Sequence, residues 1–307
     1  MSVLIGALLA SCAGPRAVEP RLDDLEVLKL AGDLGFTEGP VWIQAEELLV
    51  FSDIPAARLM SWHETRGLEL YEERPNPNGN ALDASGRLLT CQHGARNLVR
   101  READGTLTVL ARDFEELRLN SPNDLAVQAD GTVWFTDPPW GLKGLEEGKE
   151  LDFQGVYRLD GSTGELRCVL RDGAMPNGIA LAADERTLYV ADTGGGPLKN
   201  DPRRRSIPAN LTAWEVRGDG SLASEPRWRI ATRCDGMCLD EHGNLYTTGE
   251  AVYVWRPDGT AIGSIPVPET PANVTFGGAD GRTLFITART SLYAVRLDVA
   301  GAASPGS

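Results

Sequence analysis

A chain of 307 residues with a formal net charge of −14 repels polyanions, which excludes nucleic acid and anionic lipid as partners. Its 34 glycines and 19 prolines, with Val, Leu, Tyr, Trp and Thr in short runs, specify many short strands joined by turns, and no stretch sustains a helical period. The charges are scattered, and the one basic cluster, Arg203-Arg204-Arg205, is a short piece of a Pro/Asn/Gly-rich loop.

The chain opens on an apolar run, Val3 to Ser11, and Leu9-Ala10-Ser11-Cys12 resembles a bacterial lipobox. That places a lipidated Cys12 at the cell envelope or periplasm. No Lys or Arg precedes the run, which argues against a signal peptide and keeps the cytoplasm as the alternative. The run is too short to cross a bilayer as a helix, so no transmembrane segment is expected. Residues 1–20 are therefore set apart as a leader or tail, 21–299 are expected to form one domain, and 300–307 a flexible tail. The five cysteines match neither a zinc pattern nor a disulfide framework. Cys91, Cys168 and Cys238 fall in predicted strands, where a free thiol packs as a small hydrophobe, and Cys234 is read the same way.

Leu25–Leu30 is strand-like, and after it one pattern recurs six times. A small or polar lead residue, often followed by Gly or Asp, opens a short apolar strand. The lead residues are Glu38, Asn78, Asn123, Asn177, Asp235 and Ala272, at intervals of 40, 45, 54, 58 and 37. A second strand follows each start, as at Leu48–Phe51 and Thr132–Thr136, usually after an Asp-Gly type of turn such as Asp130-Gly131. A third follows, as at Arg58–Trp62, and then a fourth, as at Leu68–Tyr71. The sixth unit lacks its fourth strand, and Leu25–Leu30 is the candidate to supply it. Four strands every roughly 40 to 50 residues mark a propeller blade. The predicted fold is all-β: a six-bladed β-propeller with four antiparallel strands per blade, the last blade closed by an N-terminal strand.

The two long intervals hold insertions, Pro138 to Gln154 and Gly194 to Asn210, and both leave the end of a second strand. That end shares a face with the start of the first strand. Both insertions are expected to overhang the lead residues and shape a substrate pocket.

The first strand of each blade lines the axis, so the lead residues should converge. Met singly, a polar residue with Gly before a strand is ordinary turn chemistry. Glu38, Asn123, Asn177 and Asp235 in phase ask for a shared role, and turn chemistry does not require Glu. Two carboxylates and two amide oxygens suit a hard divalent cation: Ca²⁺ first, with Mg²⁺, Mn²⁺ and Zn²⁺ as alternatives. Four protein ligands leave room for water and substrate. No Gly-x-Ser-x-Gly elbow, His-Glu-x-x-His, phosphate loop or dinucleotide fingerprint is present.

Five motifs taken together, Glu38-Gly39-Pro40-Val41-Trp42, Ser121-Pro122-Asn123-Asp124-Leu125, Asp137-Pro138-Pro139-Trp140-Gly141-Leu142, Met175-Pro176-Asn177-Gly178 and Cys234-Asp235-Gly236-Met237, resemble those of the SMP-30/gluconolactonase/luciferin-regenerating family. The resemblance runs in order over residues 34 to 297. It implies a six-bladed propeller with a catalytic divalent cation on Glu38, Asn123, Asn177 and Asp235. The implied reaction is hydrolysis of a small sugar lactone such as glucono-1,5-lactone. Water attacks the carbonyl, and Asp235 is the candidate general base, or less readily the nucleophile. Asn78, Asn80, His93 and Asn123 are the candidate substrate contacts, with a structural role for His93 as the alternative; His242 sits in a turn. Animal members place Arg two residues before the position of Asn123, where this chain has Ser121. A phosphotriesterase-like hydrolase on the same site and a non-catalytic binding propeller are the competing readings.

Overall fold

The computed structural model describes residues 18–195 and 207–303. Cys12, the apolar run before it, Arg203-Arg204-Arg205 and most of the second insertion lie outside the described residues. Six four-stranded antiparallel sheets are arranged as six blades, each running from an inner first strand outward. Blade 1 holds Thr37–Ile43, Leu48–Asp53, Arg58–His63 and Gly67–Glu73. The inner strands of blades 2 to 6 are Pro77–Leu82, Leu125–Val127, Pro176–Leu181, Met237–Leu239 and Pro271–Gly277.

Blade 6 closes as expected. The N-terminal strand Val27–Ala31 pairs with Ser291–Arg296, with Val27 opposite Val295 and Lys29 opposite Tyr293. Trp42 of blade 1 stacks on Phe285 of blade 6 at 5.4 Å and 12°, which seals the seam between the two ends of the chain. A two-stranded hairpin, Asp113–Phe114 with Leu117–Arg118, was not anticipated and links blades 2 and 3.

The core lies between blades, because each sheet is apolar on both faces. Leu89, Leu98, Leu125, Phe135 and Tyr157 fill the space between blades 2 and 3. Tyr246, Val254, Val274, Ile286 and Val295 fill that between blades 5 and 6. Burying each such side chain contributes about 1.5–3 kcal/mol. The predicted strand cysteines follow suit: Cys91 is buried and Cys168 and Cys238 are half-buried, all as free thiols.

One expectation needs correcting. The tail does not start at residue 300: Gly301 N donates to Gly281 O at 2.9 Å and Ala302 N to Leu239 O at 2.9 Å. Backbone pairing thus ties residues 301 and 302 to the inner strand of blade 5 and to a turn of blade 6. Among the described residues no helix is long and apolar enough to cross a membrane.

Candidate active site

The six lead residues form a ring held by their own backbones. Gly79 N donates to Asn123 O at 2.8 Å, Gly178 N to Asp235 O at 3.1 Å and Gly236 N to Ala272 O at 2.8 Å. Hydroxyls from the second strands staple carbonyls of the lead residues as well. Ser52 Oγ donates to Asn78 O, Thr136 Oγ1 to Asn177 O and Thr248 Oγ1 to Ala272 O, at 2.5, 2.7 and 2.6 Å. This close approach explains the glycines that follow the lead residues. A Cβ on Gly39 would lie 2.1 Å from Asn78 O, and one on Gly178 would lie 2.0 Å from Asp235 O.

Four of the lead side chains are the predicted ligands, and three of them, Glu38, Asn177 and Asp235, are near enough to interact. Glu38, Asn123 and Asn177 are buried, whereas Asp235 keeps a partly exposed edge over a deeply placed carboxyl. Asn177 hydrogen-bonds Asp235. Glu38 Oε2 accepts from Gly39 N at 2.8 Å and from Asn273 Nδ2 at 3.1 Å. Burial holds the Glu38 carboxyl well above the usual carboxylate range, and the nearby Asp235 and Asp124 raise it further. Asp235 is raised in the same way, by burial first. Among the described residues neither carboxylate forms an ion pair with Lys or Arg; the one cation that Asp235 senses is the exposed Arg233. The site thus concentrates negative charge without a protein counter-charge.

The donor set fits a hard divalent cation on that ground: buried carboxylate oxygens that repel one another, with two carboxamides beside them. Among the described residues no three or more His, Cys, Asp or Glu side chains group into a metal cluster, so the amides of Asn123 and Asn177 are needed to complete a set.

The second group of predicted residues splits. Asn78 is buried, and its Nδ2 lies 3.0 Å from His93 Nε2. Burial lowers the His93 pKa from 6.5 to about 4, so the ring is neutral at pH 7. Its unprotonated Nε2 accepts from Asn78, which fixes the orientation of the amide beside the ring. Asn80 is committed elsewhere. Its Nδ2 faces Gly39 O, Ser52 Oγ and Asn78 O at 2.8, 2.9 and 3.0 Å, and its Oδ1 accepts from Thr90 Oγ1 at 2.8 Å. That side chain locks the ring from below.

Two residues next to the lead positions escaped sequence reasoning. Asp124 is buried and pushed up to about 7 by desolvation, and Asn273 bonds it as well as Glu38. The signal was available: the residue after the lead is Gly in four copies, and Asp124 and Asn273 are the two departures. They form the floor beneath the ring. Below it a cavity of about 450 Å³ continues along the axis to the opposite face, lined by side chains such as Leu125, Ile179, Met237, Val274 and Phe276.

The first insertion overhangs the lead face as expected. Ser121 Oγ donates to Pro138 O at 2.6 Å and accepts from Gly141 N at 2.8 Å, and Gly141 packs on His93. Ser121 therefore holds the loop down where animal members carry an Arg. Trp140 and Leu145 pack against Ala174 and Met175 together with Ile207 of the second insertion.

The SMP-30/Gluconolactonase/LRE-like region matches residues 36–290. This chain belongs to that family. A gluconolactonase from Zymomonas mobilis is 30% identical, over 92% of this chain and 85% of its own. The solved structure of a gluconolactonase from Xanthomonas campestris is 36% identical, with a TM-score of 0.78, over 90% of this chain and 91% of that one. A luciferin-regenerating enzyme, 16% identical with a TM-score of 0.73 over 91% and 98%, shares the fold. The motifs that carry the resemblance in the sequence are those that build the ring.

Proposed function

We propose that this protein is a sugar-lactone hydrolase, a carboxylic-ester hydrolase of gluconolactonase type, that works with one divalent cation. The family match and the two gluconolactonases at 30% and 36% identity support lactone hydrolysis. A pentonolactonase from Haloferax volcanii, 27% identical over 81% of this chain, fits the same substrate class. The cation dependence rests on one observation: the Glu38 and Asp235 carboxyls are buried near one another, and among the described residues neither forms an ion pair with Lys or Arg.

Glu38, Asn123, Asn177 and Asp235 would hold the cation, with Ca²⁺ the best match to an all-oxygen set. When bound, it supplies Lewis-acid polarisation of the lactone carbonyl and stabilises the charge that develops on its oxygen. The chain does the rest. Asn78, fixed by His93, presents its free amide oxygen to a substrate hydroxyl. The loop at Pro138–Leu142, held by Ser121, walls the pocket and limits water. Asp235 accepts the proton of the attacking water at its carboxylate. The ring C–O bond then breaks, and the proton passes to the departing ring oxygen, which leaves as the hydroxyl of the aldonic acid.

The decisive assay measures acid release from glucono-1,5-lactone by the purified protein, with EDTA and with added Ca²⁺. Turnover should vanish with EDTA and return with Ca²⁺. Turnover indifferent to chelation would refute the cation dependence, and none on a panel of lactones would refute the reaction.

A further inference from the structure

The second strand of blade 1 ends in Asp53, that of blade 3 in Asp137 and that of blade 4 in Asp192. All three are buried. Each carboxylate reaches back to the loop that leads into the first strand of its own blade, and each takes backbone N–H groups from the same two positions. Asp53 Oδ1 accepts from Gly35 N and Phe36 N at 3.0 and 3.2 Å. Asp137 Oδ2 accepts from Asn120 N at 2.7 Å, and the Ser121 amide faces the same carboxylate. Asp192 accepts from Ala174 N at 2.8 Å and Met175 N at 3.0 Å. Counted from Glu38, Asn123 and Asn177, these amides are always three and two residues before the lead residue.

The device is not part of every blade. Where blade 2 would carry it stands Gln92, opposite Pro77, and the lead residue there is Asn78. Blade 6 has Ala288, opposite Pro271, and the lead residue there is Ala272. In blade 5 Thr248 is the counterpart of Ser52 and Thr136, and the residue after it, where the other ligand-bearing blades carry Asp, is Gly249, which has no side chain. The carboxylate thus occurs in three of the four blades that present a ligand and in neither of the two that do not. A general need to stabilise loops does not produce that distribution.

We propose that Asp53, Asp137 and Asp192 are positioning residues that fix Glu38, Asn123 and Asn177 in the geometry that binds the cation. The inference rests on the reading of those three as cation ligands. An ionised carboxylate accepts backbone N–H groups more strongly than a neutral acceptor does. They hold the loop on one side of each ligand, while the strand ladder holds the other. Asp235 lacks such a clamp, so three ligands are rigid and the fourth, the proton acceptor, is free to adjust.

The test is Mn²⁺ binding to the full chain by titration calorimetry, alongside thermal melts of the metal-free protein. Asp192→Asn and Asp137→Asn keep the side-chain shape and lose one anionic acceptor; each should weaken Mn²⁺ binding about 10-fold. Gln92→Ala, at the same register position in a blade without a ligand, should bind Mn²⁺ like the parent protein, whatever it does to the melt. Parent-like Mn²⁺ affinity in both Asp variants, or an equal loss in Gln92→Ala, overturns the proposal. Parent-like Mn²⁺ affinity in Glu38→Gln overturns the ligand assignment beneath it, a separate result because that variant leaves all three clamps intact.

Discussion

Asn273 Nδ2 donates to Glu38 Oε2 at 3.1 Å, joining the inner strand of the last blade to the inner strand of the first. The bond spans 235 positions of sequence and crosses the seam that Trp42 and Phe285 close. It places an amide donor on one oxygen of a buried carboxylate and leaves the other for the centre of the ring.

Removing that donor should loosen the ligand without removing it. Asn273→Ala is expected to cost about 1–2 kcal/mol of stability and to lower kcat/KM by about tenfold, roughly 1.4 kcal/mol of transition-state binding. Urea melts and lactone kinetics measure the two effects. Unchanged kinetics would mean that the bond only closes the seam.

The repulsion within the ring predicts an inversion. In EDTA, Glu38→Gln removes one of two like charges that the fold forces together, so the variant should melt higher than the parent protein. Added Ca²⁺ should then raise the parent melting temperature and leave the variant where it was. A variant that melts lower in EDTA would show that Glu38 is neutralised by some other group.

The same carboxyls set a pH dependence. Glu38 and Asp235 have folded pKa values above those of the unfolded chain, by burial first. Between the two values the folded protein holds protons that the unfolded chain has released, so metal-free stability falls as pH rises from about 4 upward. Saturating Ca²⁺ should abolish that slope. Calorimetric melts across pH 4 to about 8, with EDTA or Ca²⁺, give the comparison.

His93 contributes with the opposite sign. Its pKa is lowered from 6.5 to about 4, so the unfolded chain protonates first and stability is lost as pH falls through that window. The full effect is about 3 kcal/mol. His93→Gln, which keeps an acceptor for Asn78, should lose less stability between neutral pH and pH ~5 than the parent protein does. Equal losses in urea midpoints would remove His93 from this account.

The ring tolerates no bulk at its glycines. Gly178→Ala sets a methyl 2.0 Å from Asp235 O, a backbone atom that cannot rotate away. The strain is expected to cost about 1–3 kcal/mol and to displace Asp235, so Ca²⁺ affinity should fall with the melting temperature. A melt lowered with Ca²⁺ affinity intact would show that the ring deforms away from the ligand.

The phase of six lead residues was enough to read the blade count, the closing strand and the ligand candidates, because a strand start repeats at one height. Asn80 shows where that reading stops: its polarity suggested a substrate contact, yet all its hydrogen bonds staple the ring, and only the neighbouring blade reveals that. Asp124 and Asn273 stood out as departures from the Gly that follows the other leads, but their bonds to each other and to Glu38 appear only once blades 1, 3 and 6 are in place. The hairpin at Asp113–Arg118 was missed because two-residue strands carry no period. The Asp residues closing three second strands were visible as Ser52-Asp53, Thr136-Asp137 and Ala191-Asp192, but their purpose appears only when the loop amides are in place.

The seam also has a bearing on how the protein is made. Glu38 leaves the ribosome early, while Asn273, which completes its hydrogen bonding, and Ser291–Arg296, which receives the N-terminal strand, emerge near the end. At ordinary elongation rates of about 5–20 residues per second, the carboxylate waits roughly ten to fifty seconds for its partner. An unfinished chain therefore has no closed ring, and Glu38 stays without its blade 6 donor until that last blade is made.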